Sequence, residues 1–171
     1  MREISEIIEF FYKCGTVVRV PEQWLTMSND LRSPSEVSEH LLARTGTALM
    51  SGDFESFAQC FSFPYDLETL EGQRQIHTRA DLKTTFDAVH AHLVKQQVTI
   101  MARHCVSASF RSDNEVAATH ETRLLSRDIL VQQPYPAFSL LKRGADGEWR
   151  ITCTSYVIVD SAELNCALQA G

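Results

Sequence analysis

The sequence has no C-x-x-C pair, no glycine-rich phosphate loop, no G-x-S-x-G elbow and no base-stacking aromatic set with basic flanks. Zinc knuckles, nucleotide enzymes, serine hydrolases and RNA binders are set aside by those absences. Its longest apolar stretches are broken by Glu9, Lys13 or Arg19, well short of the roughly 20 residues that span a bilayer. Glycine and proline are scarce, 7 and 5 among 171 residues, which excludes collagen-like and low-complexity chains. Positive charge is in deficit as well, 16 basic against 22 acidic residues for a net charge of -6. Neither nucleic acid nor an anionic membrane surface is an expected partner. The opening Met1-Arg2-Glu3-Ile4-Ser5-Glu6 carries acids where a secretory leader needs basic and then apolar residues. A cytoplasmic location is expected.

What remains is an ordinary globular composition, 44% hydrophobic, 9% aromatic and 22% charged, enough for one domain with a core. The odd set Cys14, Cys60, Cys105, Cys153 and Cys166 is widely spread and reads as free thiols buried as small hydrophobes. No cofactor is indicated.

Residues 1–33 stand apart: Ile4, Ile7, Ile8 and Phe11 form a helical stripe ended by Gly15 and Pro21, followed by turn formers from Ser28 to Ser33. They read as an amphipathic arm and linker. The main domain is expected over 34–160, with 161–171 as a short helix or frayed tail. Ser33-Pro34-Ser35-Glu36 has capping-box spacing and predicts a helix over 34–50. Ser51-Gly52-Asp53 stops it and caps a second, shorter helix holding Phe54, Phe57, Ala58 and Phe61. From Phe63 the period becomes two, with Phe63, Tyr65, Leu67 and Thr69 on one side, and Glu71-Gly72 turns the chain into a strand near 73–77. Thr78-Arg79-Ala80-Asp81 caps a third helix whose stripe is Leu82, Phe86, Val89 and Leu93. Four strands follow, 98–110, 115–127, 135–143 and 148–159, separated by good turn sequences.

This order resembles the nuclear-transport-factor-like superfamily, also called SnoaL-like or the cystatin-like cone. The resemblance covers roughly 34–160 and is carried by Ser51-Gly52-Asp53-Phe54, Pro64-Tyr65-Asp66-Leu67, Thr78-Arg79-Ala80-Asp81-Leu82 and Asp146-Gly147-Glu148-Trp149-Arg150-Ile151. It implies an α+β fold, a curved, antiparallel-rich sheet of about six strands wrapped around three helices, with an internal pocket. A homodimer through the outer sheet face is implied too. The superfamily holds isomerases, dehydratases, polyketide cyclases and association modules, so residues must narrow the activity. Ketosteroid isomerases in it place an aspartate before a proline after the second helix; here Phe63-Pro64 stands in that place and supplies no base.

Strand alternation selects the chemistry. On the strand from Val98 the even positions, Ile100, Ala102, His104, Val106, Ala108 and Phe110, are almost all apolar, which predicts that His104 faces inward and Arg103 outward. On the next strand the even positions include Val116, Ala118, His120 and Leu124, so His120 also faces inward. Two imidazoles near each other across a ladder can divide acid and base duties at neutral pH, and the pair resembles that of scytalone-dehydratase-like members. His104 and His120 are therefore the candidate catalytic residues. Tyr65, Phe86, Phe138 and Trp149 are the candidate ligand-lining residues, with the Tyr65 phenol able to polarise an oxygen. Each of these also reads as ordinary core. Metal binding lacks a third ligand, because Cys105 and Glu121 alternate outward. His90 and His92 fall on different faces of the third helix and read as surface or rim residues.

Two functions follow. One is a binding protein for a small, largely apolar organic molecule, extending to a cofactor-free isomerase, dehydratase or cyclase that moves protons. The other is a non-catalytic dimerisation or association module. A cavity with the histidines in its wall favours the first, and a collapsed interior with a large apolar exterior the second.

Overall fold

The computed structural model describes residues 33–171. The arm expected over 1–33, with Ile4, Ile7, Ile8 and Phe11, lies outside the described residues except for Ser33. In chain order the elements are α1 (Pro34–Ser51), α2 (Phe54–Ala58), β1 (Phe61–Thr69), β2 (Gly72–Ile76), α3 (Arg79–Lys95), β3 (Ile100–Ser112), β4 (Glu115–Ser126), β5 (Ile129–Leu130), β6 (Tyr135–Arg143), β7 (Trp149–Tyr156) and α4 (Ala162–Leu168).

Local chemistry sets the helix ends. The Ser33 hydroxyl accepts the Glu36 amide at 3.2 Å while the Glu36 carboxylate accepts the Ser33 amide at 2.9 Å, satisfying two donors that a helix start leaves orphaned. Gly52 ends α1 in the left-handed region, φ 73°, with its amide on the Ala48 carbonyl. Asp53 then caps α2 through the Ser56 amide at 3.1 Å. Thr78 and Asp81 make the same reciprocal pair at α3, both bonds 3.1 Å.

The sheet runs β2-β1-β7-β6-β4-β3, with β5 beside β4. Every pairing is antiparallel except β1 with β7, which is parallel. The expected meander is present, and β7 joins it to the hairpin. This is an α+β fold with a curved, open, mixed sheet wrapped around the helices. The α3 stripe of Leu82, Phe86, Val89 and Leu93 is buried in its hollow with Leu41 and Leu49 of α1 and Tyr65, Leu67, Leu124 and Leu141 of the sheet. Around Phe86 the rings of Phe54 and Phe57 stand 5.5 and 5.0 Å away, distances at which aromatic pairs add to simple burial.

Two details depart from expectation, and the segment after 160 takes the helical one of its two expected forms. Strand β1 begins at Phe61, and its register against β7 shifts between Phe61 and Asp66. That irregularity turns Phe63 out to solvent, 37% exposed, while Tyr65, Leu67 and Thr69 stay buried. The segment after 160 resolves as α4, a fourth helix: Leu164 and Leu168 are buried, and Lys95 of α3 pairs with Glu163 at 3.0 Å. His92 is buried rather than at the surface or rim, and half-buried His90 bonds the Leu49 carbonyl through Nδ1 at 2.7 Å. No helix among the described residues is long and apolar enough to cross a membrane.

Candidate functional site

The hollow of the sheet is not fully packed. A cavity of about 60 Å³ lies between α3 and the sheet, walled by Phe57, Phe61, Leu82, Phe86, Val89 and Leu164, among others. A second chamber of about 40 Å³ lies beneath α1 and is bounded by Ser38, Thr45, His120, Ser139 and Thr154. Leu49, Phe57, Phe61, Arg103 and Tyr156 belong to both walls. The larger chamber is apolar on most sides and polar only at Thr85, Arg103, Thr122 and the tyrosines Tyr65, Tyr135 and Tyr156. Burial first of all pushes the three phenols above their ordinary pKa, so they stay protonated and can donate hydrogen bonds. Thr154 beside Tyr65 and Thr122 beside Tyr135 oppose that rise without cancelling it.

Arg103 reaches this interior, which corrects the expectation that it points outward. The cause is a β-bulge. Ser112 pairs with Glu115 at the turn, but the register against β4 shifts between Phe110 and Ser112 and again between Cys105 and Ser107. Each shift inserts a residue and reverses which parity faces the core. Beyond Val106, which the second shift leaves unpaired, Met101, Arg103 and Cys105 face inward, and Ala102 and His104 face outward. His104 is accordingly exposed and stands opposite Glu121, whereas Cys105 stands opposite His120. His104 and His120 thus occupy opposite faces of the sheet, and the expected pair of inward rings is not formed.

His120 is inside, as its strand pattern predicts, and only 3% exposed. Its Nε2 is buried with no hydrogen-bond partner. Burial, then the charge of Arg103 and then that of His104, lower its pKa from 6.5 to about 4. The ring is neutral at pH 7.

Among the expected ligand-lining residues, Tyr65 and Phe86 are in the wall of the larger chamber. Phe138 is not: it pairs with Thr119 and Ser155 on the outer face and is 38% exposed. Its neighbours Ala137 and Ser139 take the inner face in its stead. Trp149 is buried but packs on Phe110, ring centroids 6.4 Å apart, away from the chambers. The sequence reading missed Arg103, Tyr135 and Tyr156. Tyr135 was recoverable by counting back in twos from the apolar Leu141 on β6, whereas Arg103 required knowledge of the bulge.

The Arg103 head lies under α1. Its Nη2 donates to the Leu42 carbonyl at 2.5 Å and to Thr45 Oγ1 at 2.8 Å. Gly46 makes the room, since a Cβ there would lie 2.7 Å from Nη2. Met101 and Arg103 also edge an open groove outside, between α1 and β3, where Glu39, Gly46 and Met50 lie.

No family model matches the sequence, and no curated protein matches it. Solved structures do match. An NTF2-like protein with a cystatin-like fold from Novosphingobium aromaticivorans aligns over 99% of both chains, at 16% identity and a TM-score of 0.57. A ketosteroid isomerase-like protein from Erwinia carotovora aligns over 78% of this chain and 99% of its own, at 14% identity and a TM-score of 0.51. A Catenulispora acidiphila protein solved in complex with S-DNPA aligns over 71% of this chain and 90% of its own, at 21% identity and a TM-score of 0.53. Shared architecture at such low identity fixes the fold and leaves the activity to the site. The chain has the NTF2-like, cystatin-like cone fold.

Proposed function

We propose that this chain binds a small, largely apolar organic molecule in the two chambers of the cone. The observation that carries this reading is the wall of the larger chamber, hydrocarbon on most sides with a few convergent polar groups, which is the pattern of small-molecule sites. The size narrows the ligand. At roughly 10–15 Å³ per water-sized group, about 60 Å³ admits a molecule of a few heavy atoms rather than a steroid or polyketide. The Catenulispora neighbour, which holds S-DNPA, is a case of ligand binding on this fold.

Cofactor-free proton transfer of the isomerase, dehydratase or cyclase kind is the proposed extension, and His120 is the residue that supports it. Its unpartnered Nε2 belongs to the cavity wall. His104, on the outer face, takes no part. A second reading, association between copies of this chain, is supported by Phe138 on the outer sheet face, where a homodimer would cover it.

Val89→Phe tests the binding reading by filling the larger chamber from α3. Small organic molecules that raise the melting temperature of the native chain are expected to lose that effect in a folded Val89→Phe variant. Equal shifts in both proteins would end the reading. Light scattering of native protein and Phe138→Asp tests the dimer, with a halved mass expected for the variant.

A further inference from the structure

We propose that the molecule held in these chambers is an organic carboxylate, anchored by Arg103 and His120 in the smaller chamber with its hydrocarbon part in the larger. This inference rests on the reading of the cavity as a ligand site and assigns the chemical class of that ligand.

The first support is a charge without a counter-charge. The chain carries 22 acidic residues, yet Arg103 makes no ion pair among the described residues; the groups that act on it are Tyr156, Tyr135 and Cys60. All three are neutral at pH 7, because burial raises each of them. A guanidinium stays protonated even when burial lowers its pKa. Arg103 is half-buried, edging the outer groove on one side and the chambers on the other, and a bound carboxylate supplies the counter-charge that its partly desolvated head lacks.

Donor arithmetic gives the second support. Both bonds that Arg103 makes, to Leu42 and Thr45, come from Nη2, so Nε and Nη1 keep their hydrogens for another acceptor. His120 Nε2 is buried, has no partner and belongs to the same chamber wall as Arg103. A neutral imidazole protonated on Nε2 donates there. One carboxylate accepting from Arg103 and His120 satisfies both residues, with charge-assisted bonds stronger than those a neutral group would make.

Gly46 is the third. Glycine inside a helix is less favourable than alanine by roughly 0.5–1 kcal/mol, and an alanine Cβ at this position would collide with Arg103 Nη2. A glycine here leaves the guanidinium its present seat, which an alanine would oblige it to shift.

The test compares butyrate and hexanoate with butanamide and hexanamide on the full chain. Binding is read from the methyl resonance of ¹³C-methyl-labelled Met101, which lines the larger chamber. The acids are expected to bind at least about tenfold tighter than the matching amides. Gly46→Ala, which crowds the guanidinium without deleting it, is expected to weaken that preference, and Arg103→Met to erase it. Equal affinity for acid and amide overturns the carboxylate assignment and leaves the binding cavity standing. A Met101 resonance that moves with none of the four compounds overturns both. A preference for acids that survives intact in Gly46→Ala and Arg103→Met removes Arg103 as the anchor.

Discussion

Acidification provides a sharp test of where His120 sits. In the unfolded chain its imidazole titrates near the ordinary value of about 6.5, whereas in the fold it is held at about 4. Between those values the unfolded chain binds a proton that the folded chain refuses, so acid favours unfolding. The stabilisation is complete above pH 6.5, declines as the pH falls toward 4 and does not change further below that for this group. The difference between 6.5 and about 4 is worth about 3 kcal/mol at full extent and about 2 kcal/mol by pH 5. Other groups also titrate, so the measurement is a difference: urea unfolding of the native chain and of His120→Gln at pH 7.5, 6 and 5. Native protein should lose about 2 kcal/mol more than the variant across that range. Imidazole resonances supply an independent value, with His120 still neutral at pH 5.5. Parallel stability profiles, or a His120 resonance titrating near 6.5, would refute the enclosed and desolvated placement from which the figure is worked.

Phe86→Ala removes the ring against which Phe54 and Phe57 pack and should destabilise the fold by about 3–5 kcal/mol. A shift in denaturation midpoint equivalent to less than 1 kcal/mol would mean that α3 is not the axis of the core. Thr78→Ala deletes the hydroxyl that accepts the Asp81 amide, with an expected loss of about 1 kcal/mol measured by chemical unfolding. No loss would show that this cap is dispensable.

Local signals carried most of the architecture. Both capping boxes were readable from four-residue strings, because a cap is made by neighbours in sequence. The α3 stripe and the inward set on β4 follow from unbroken periodicity, and Tyr65 and Phe86 fall in the cavity wall. Reading failed wherever phase was carried across an irregularity. On β3 the parity used for His104 holds only for Ala108 and Phe110, on the turn side of the second bulge; Arg103 and His104 lie beyond it. That error exchanged the two residues, hiding the interior cation and supplying a histidine pair that does not exist. Phe138 misled for another reason. Its bulk suggests the core, but alternation along β6 gives the inner face to its sequence neighbours Ala137 and Ser139. The parallel contact of β1 with β7 had no local signal at all, since its two strands are far apart in sequence.

That same contact orders events in time. Strand β7 lies between β1 and β6, so until residues 149–156 have been synthesised, the early hairpin has one bare flank and the later meander another. Each is a template for adventitious pairing with other chains. Helices α1 and α2 emerge earlier and can shelter the young hairpin, but closure waits for the last strand to slot into the middle. Emergence of β7, rather than local propensity, then sets when the hairpin and the meander lose their facing bare flanks.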